Sequence, residues 1–259
     1  MTHRSAVDLL GMLQVAACPA RIPSAFTHAT TTRRFPESPQ RPPPMTRTEI
    51  LTRYRRLRQI SREHHHTVKD FIAPDAMLDR AKRLGLTMGK SVVVASDLER
   101  ALVEDLAIYL PRSGRSHPRD RYAQAARFAP DSEDVIVLEA MRQASFSLWR
   151  VERRHEIAGL ILRDLLRGGE IQLVDETMEK STSPGVEMAA RFLRFEGFAM
   201  TARIVVPIIP GLMEGVFDRA PALRTAQGDV LARDPRFAIG IYRAAVATGA
   251  IDTVRFRRG

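Results

Sequence analysis

Between Phe146 and Ile208 the chain breaks into short apolar runs bounded by Gly, Pro or charged residues, and this punctuation constrains the fold more than any other feature. Phe146, Leu148 and Val151 come first. Leu160 and Ile161, then Ile171, Leu173 and Val174, Met188, Phe192 to Phe195 and Met200 to Val206 follow. Runs this short, β-branched or aromatic and separated by turn formers, predict antiparallel strands. The flanking segments carry apolar residues at helical spacing instead. The expected fold is α+β: a helical subdomain at 45–144, a small twisted antiparallel sheet or barrel at 145–208, and a helical extension at 209–259.

The helical segments carry their own start and stop signals. Thr46 and Glu49 form a capping-box pair, followed by Ile50, Tyr54, Leu57 and Ser61 on one face. Pro74 and Asp75 open a second helix that Gly85 closes. Ser91 to Ala95 reads as a short strand. Ser96 with Glu99 starts a helix through Leu98, Leu102, Leu106 and Tyr109, which Pro111 ends. Pro118 begins the next, and Asp131 is placed as the cap of one carrying Val135, Leu138 and Met141. Near the C-terminus a weak helix at 212–217 precedes a strong one, capped by Asp234, opened by Pro235 and ended at Gly249.

Residues 1–44 differ in character, with Thr30 to Thr32, Arg33-Arg34 and a proline cluster from Pro36 to Pro44, and are expected to be disordered. Three explanations compete: Met45 as the true first residue, a targeting segment, or a flexible tail. Val15-Ala16-Ala17-Cys18 resembles a lipoprotein cleavage box, but Asp8 and Gly11 interrupt the apolar run before it. The net charge of +10 is concentrated early, since residues 1–66 hold 11 Arg against 4 acids. Arginine suits phosphate recognition through its planar fork of donors. The codon bias of a GC-rich genome gives the same excess. With Cys18 the only cysteine, no intrachain disulfide framework or Cys-based zinc site forms, and a cytoplasmic, reducing compartment is the simplest expectation. No stretch reaches the roughly 20 apolar residues of a membrane-spanning helix, so integral membrane association is not expected.

Candidate chemistry is sparse. In His64-His65-His66, successive side chains on a helix point about 100° apart and cannot converge on one ion, so a solvated helix end and no metal are expected. His155, between Arg154 and Glu156, is expected to be exposed in a hairpin turn. Ser113-Gly114-Arg115-Ser116 lacks P-loop spacing, no nucleophile elbow occurs, and no cofactor is expected. One basic loop qualifies as an anion-binding candidate: Arg112, Arg115, His117, Arg119 and Arg121 precede or open a helix whose free amides favour anions. Its competitor is an ordinary charged surface loop in which Arg121 pairs with Asp105 or Asp120. A second candidate is the helix bearing Arg53, Arg55, Arg56 and Arg58, which suits nucleic acid. Trp149 is expected inside the barrel with Ser147 and Val151, and Asp164 is expected to accept backbone amides in a turn.

From Ser91 onward the order of segments resembles a family of uncharacterised bacterial proteins. The resemblance is carried by 102–109 (LVEDLAIY), Gly114-Arg115 with Asp120-Arg121-Tyr122, Phe146-Ser147-Leu148, 162–166 (LRDLL), 189–193 (AARFL) and 198–201 (FAMT), covering roughly residues 85–208. It implies no activity. The strands also resemble those that accompany SEC-C metal-binding modules, whose zinc-ligand cysteines are absent here. The expected function is non-catalytic binding, with a protein partner at the small barrel; nucleic-acid binding through the Arg-rich helix is the alternative and an enzyme of unknown class the third reading.

Overall fold

The computed structural model describes residues 45–110 and 114–253. Residues 1–44 and Arg112 therefore lie outside the described residues. Helix α1 (Arg47–Thr67) starts on the expected capping box, where Thr46 and Glu49 satisfy each other's backbone amides. A 3₁₀ turn leads to α2 (Pro74–Leu84), which stops at Gly85. The strand expected at 91–95 is instead a hairpin of β1 (Thr87–Met88) and β2 (Ser91–Val92). Helix α3 (Asp97–Tyr109) is capped by Ser96, α4 (Pro118–Ala125) opens on its proline, and α5 (Glu133–Gln143) is capped by Ser132 rather than Asp131.

The strand region forms β3 (Ser145–Arg154), β4 (Leu160–Asp164), β5 (Glu170–Leu173), β6 (Glu187–Arg194) and β7 (Ala199–Pro207). These close into a five-stranded barrel in the order β3-β4-β5-β7-β6. Every pairing is antiparallel except the closing one, β5 with β7, which is parallel through Leu173 and Ala199. The sheet is therefore mixed, because a short helix, α6 (Glu176–Ser181), and β6 intervene between the two strands. Trp149, Val151, Leu160, Leu162, Leu173 and Phe192 fill the interior, as alternation along β3 predicts. Asp164 Oδ1 accepts the amides of Leu166 and Arg167 at 3.0 Å and the Ser147 hydroxyl at 2.5 Å, so the expected turn is also a buried crosslink.

The outward faces of the barrel strands bury against helices on two sides. Phe146, Leu148, Ala189 and Val206 pack with α2, α3 and the C-terminal helices α7 (Leu212–Arg219), α8 (Gly228–Arg233) and α9 (Pro235–Thr248). Leu193, Met200 and Ala202 pack with α1, α4, α5 and the end of α3. Helix α3 is thus shared by both cores and is buried from Leu102 to Tyr109. It carries two acids into the interior, where Asp105 pairs with Arg191 of β6 at 3.0 Å and Glu104 with Arg203 of β7 at 2.6 Å. Burying charges costs far less when each is paired and hydrogen-bonded. These pairs fix the helix against the barrel wall.

Candidate anion-binding cleft

The C-terminus of α3 ends beside the start of α4, the α5–β3 junction and the α8–α9 turn, and between them lies a cleft of about 610 Å³. Five arginines line it, Arg119, Arg142, Arg167, Arg191 and Arg233, against two aspartates, Asp229 and Asp234. Four of the arginines have a carboxylate within reach. Arg142 reaches Asp120 at 3.1 Å, Arg167 and Arg233 share Asp229 at 2.7 and 2.5 Å, and Arg191 holds Asp105. Arg119 makes no ion pair among the described residues.

Arg119 instead lies over the Tyr109 ring, 5.3 Å from its centroid, and its Nε and Nη1 are buried without a protein partner. Burial pushes its pKa below the ordinary value, with Tyr109 and Asp120 opposing the shift. Arg191 approaches the same ring at 5.0 Å and also covers Phe146 at 5.2 Å. Burial alone would lower the Arg191 pKa; the Asp105 charge and hydrogen bond, with Tyr242 and Tyr109, together outweigh it and the pKa is raised. Its Nη2 is also buried without a partner. His117 completes the group, its Nδ1 buried and unpartnered and its pKa lowered by burial and then by the Arg119 charge. As the N-cap of α4, His117 provides no side-chain cap to the helix amides. A cluster of desolvated donors with excess positive charge favours an oxyanion, which can accept from several guanidinium nitrogens at once.

The loop picked out by sequence is split by the fold. Arg119 enters the cleft, whereas Arg115 and Arg121 line a separate recess of about 20 Å³. Arg121 pairs with neither Asp105 nor Asp120, since its guanidinium donates to the backbone carbonyls of Phe71 and Ser116. Asp120 is engaged by Arg142 and Asp105 by Arg191. The other cleft arginines are scattered along the sequence from Arg142 to Arg233, and no local motif marks them.

The Arg-rich helix is occupied by the protein itself. Arg55 forms a bidentate pair with Glu176, Arg56 pairs with Glu133, and Arg58 donates to the Thr201 carbonyl. Arg53 donates to the Glu196 carbonyl at 3.3 Å and lies over Phe198. These contacts clamp α1 to α5, α6 and β7. Trp149 and Phe192 are interior, and Phe195 and Phe198 pack against each other, so no row of aromatic rings accompanies the arginines.

His64 and His65 are buried rather than solvated. The Tyr122 hydroxyl donates to His64 Nδ1 at 2.8 Å, and His64 Nε2 donates to the Asp134 carbonyl at 3.0 Å. His65 Nδ1 donates to the Ser61 carbonyl at 2.7 Å and its Nε2 accepts from Tyr109 at 2.8 Å. The apolar stripe Ile50, Tyr54, Leu57, Ser61 continues at its own spacing onto these two residues, which is the signal that could have placed them. His155 is also partly buried, its Nδ1 accepting the amides of Ile157 and Ala158. No group of three or more metal-ligating side chains converges among the described residues. No described helix is long and apolar enough to cross a membrane.

Fold and cleft together define an α+β protein with a small closed barrel, a shared buried helix and an arginine-lined cleft beside that helix. The model of a family described as a family of unknown function (DUF7986) matches residues 48–207, more than half of the chain, and the chain belongs to that family. No curated protein and no solved structure matches. The comparisons show no link to SEC-C modules. The matched segment contributes Tyr109, His117, Arg119, Arg142, Arg167 and Arg191 to the cleft; Asp229, Arg233 and Asp234 come from beyond it.

Proposed function

We propose that the protein is a non-catalytic binding protein whose ligand is an anion seated in the arginine-lined cleft. The observation that carries this reading is Arg119, a half-buried side chain whose Nε and Nη1 are buried without a partner and which has no carboxylate within ion-pair distance among the described residues. Leaving buried donors unsatisfied costs about 1–3 kcal/mol each, and more for charged groups. An oxyanion relieves that cost. Thermal melts in phosphate and in chloride at matched ionic strength test it. At a phosphate concentration about ten times its dissociation constant, the stabilisation is about 1.4 kcal/mol, or roughly 3–6 °C for a protein of this size. Arg119→Gln is expected to abolish the shift. Equal melting temperatures in the two salts would contradict the reading.

A further inference from the structure

We infer that the ligand is a phosphorylated sugar or polyol, an inference that rests on the anion-binding reading above. The cleft's volume, about 610 Å³, lies in the range of small-molecule sites, roughly 300–1,000 Å³, and exceeds what a lone tetrahedral anion fills. The ligand therefore has a body as well as a charge. An aromatic body finds little to stack on, because Tyr109 lies under Arg119 and Arg191 and Phe146 lies under Arg191, which leaves the small His117 imidazole among the lining rings. The rest of the wall offers groups suited to hydroxyls: the Ser145 hydroxyl, the Gln143 amide oxygen and the Asp229 carboxylate. Each carboxylate oxygen accepts about two hydrogen bonds, so Asp229 keeps acceptor capacity beside Arg167 and Arg233. Phosphate against Arg119 and Arg191 with hydroxyls toward Asp229 uses both the unpartnered donors and the spare acceptors of the lining.

Calorimetric titration of the full chain with inorganic phosphate, ribose, ribose 5-phosphate and adenosine monophosphate separates the parts of such a ligand. Ribose 5-phosphate is expected to bind at least tenfold more tightly than inorganic phosphate, ribose not measurably, and the nucleotide no more tightly than ribose 5-phosphate. Arg119→Gln is expected to weaken both phosphate and ribose 5-phosphate at least tenfold. Asp229→Ala, at an exposed position, is expected to shrink the preference for ribose 5-phosphate over phosphate. If phosphate binds as tightly as ribose 5-phosphate, or the nucleotide binds tenfold more tightly than it, the sugar assignment fails while the anion reading stands. If Asp229→Ala leaves the preference unchanged, the hydroxyl end is wrongly assigned. If neither phosphate nor ribose 5-phosphate binds, or Arg119→Gln leaves both unchanged, the anion reading fails and this inference with it.

Discussion

Arg191 Nε donates to Asp105 Oδ2 at 3.0 Å, with only 5% and 1% of the two side chains reaching water. The Tyr242 hydroxyl donates to the same oxygen at 2.9 Å, so β6, α3 and α9 meet at one carboxylate. Removing one member of a buried pair strands the other charge, which costs about 3–5 kcal/mol. Arg191→Leu is expected to lose that much stability in denaturant unfolding followed by Trp149 fluorescence. The double variant Arg191→Leu/Asp105→Leu is expected to lose less than the two single variants together. Strict additivity would show that the pair does not couple.

Gly159 closes the β3–β4 hairpin with φ of +84°, and a Cβ there would sit 2.1 Å from the Leu173 carbonyl oxygen of β5. Both the backbone and the neighbouring strand therefore exclude a side chain. Gly159→Ala is expected to destabilise the protein by about 3 kcal/mol or more, combining left-handed strain with the clash. A melting temperature within one degree of the native chain would show that the hairpin relaxes easily.

His65 is held neutral, its pKa pulled down to about 3 by burial and then by the Arg203 charge. In the unfolded chain it titrates near 6.5. Above that pH both states are neutral and the stability is fully present. Below it only the unfolded state takes the proton, so stability falls as the pH drops from about 6.5 toward 3, by about 1.4 kcal/mol per unit. Burial also lowers the pKa of His64, which adds to the slope. Between pH 6.5 and 5 the loss from His65 is expected to be about 2 kcal/mol, and His65→Gln is expected to flatten the curve. Denaturation midpoints across that window check it, and an unchanged slope in the variant would refute the assignment.

Replacing Arg53, Arg55, Arg56 and Arg58 together by Gln is expected to loosen α1, because each holds a partner outside the helix. Exposed pairs contribute little singly, so the fall in melting temperature is expected to be a few degrees. Anisotropy with labelled oligonucleotides at physiological salt is expected to show only weak, non-specific binding. A tight, sequence-selective complex lost in this variant would move the helix from structural clamp to nucleic-acid interface.

Local signals in the sequence placed most of the fold. The Thr46–Glu49 box, the Ser96 cap, Asp234-Pro235 and the stops at Gly85 and Gly249 mark helix ends because capping is decided within a few residues. Alternation along β3 put Trp149 inside the barrel because the strand period allows only two faces. The parallel β5–β7 closure was not legible, since a single pairing decides it across an intervening helix and strand. Of the site, Arg119 was legible as a loop arginine at a helix start. Its surroundings were not: Tyr109, Arg191 and Asp229 join it in the cleft lining through tertiary packing, and Arg115 and Arg121, close in sequence, line another recess.

The most direct measurement of the central claim is where an oxyanion binds. Crystals soaked in selenate, measured at the selenium edge, are predicted to show an anomalous peak in the cleft within hydrogen-bonding distance of Arg119 and Arg191. Selenate peaks only on the outer surface, with the cleft free of anomalous density, would contradict it.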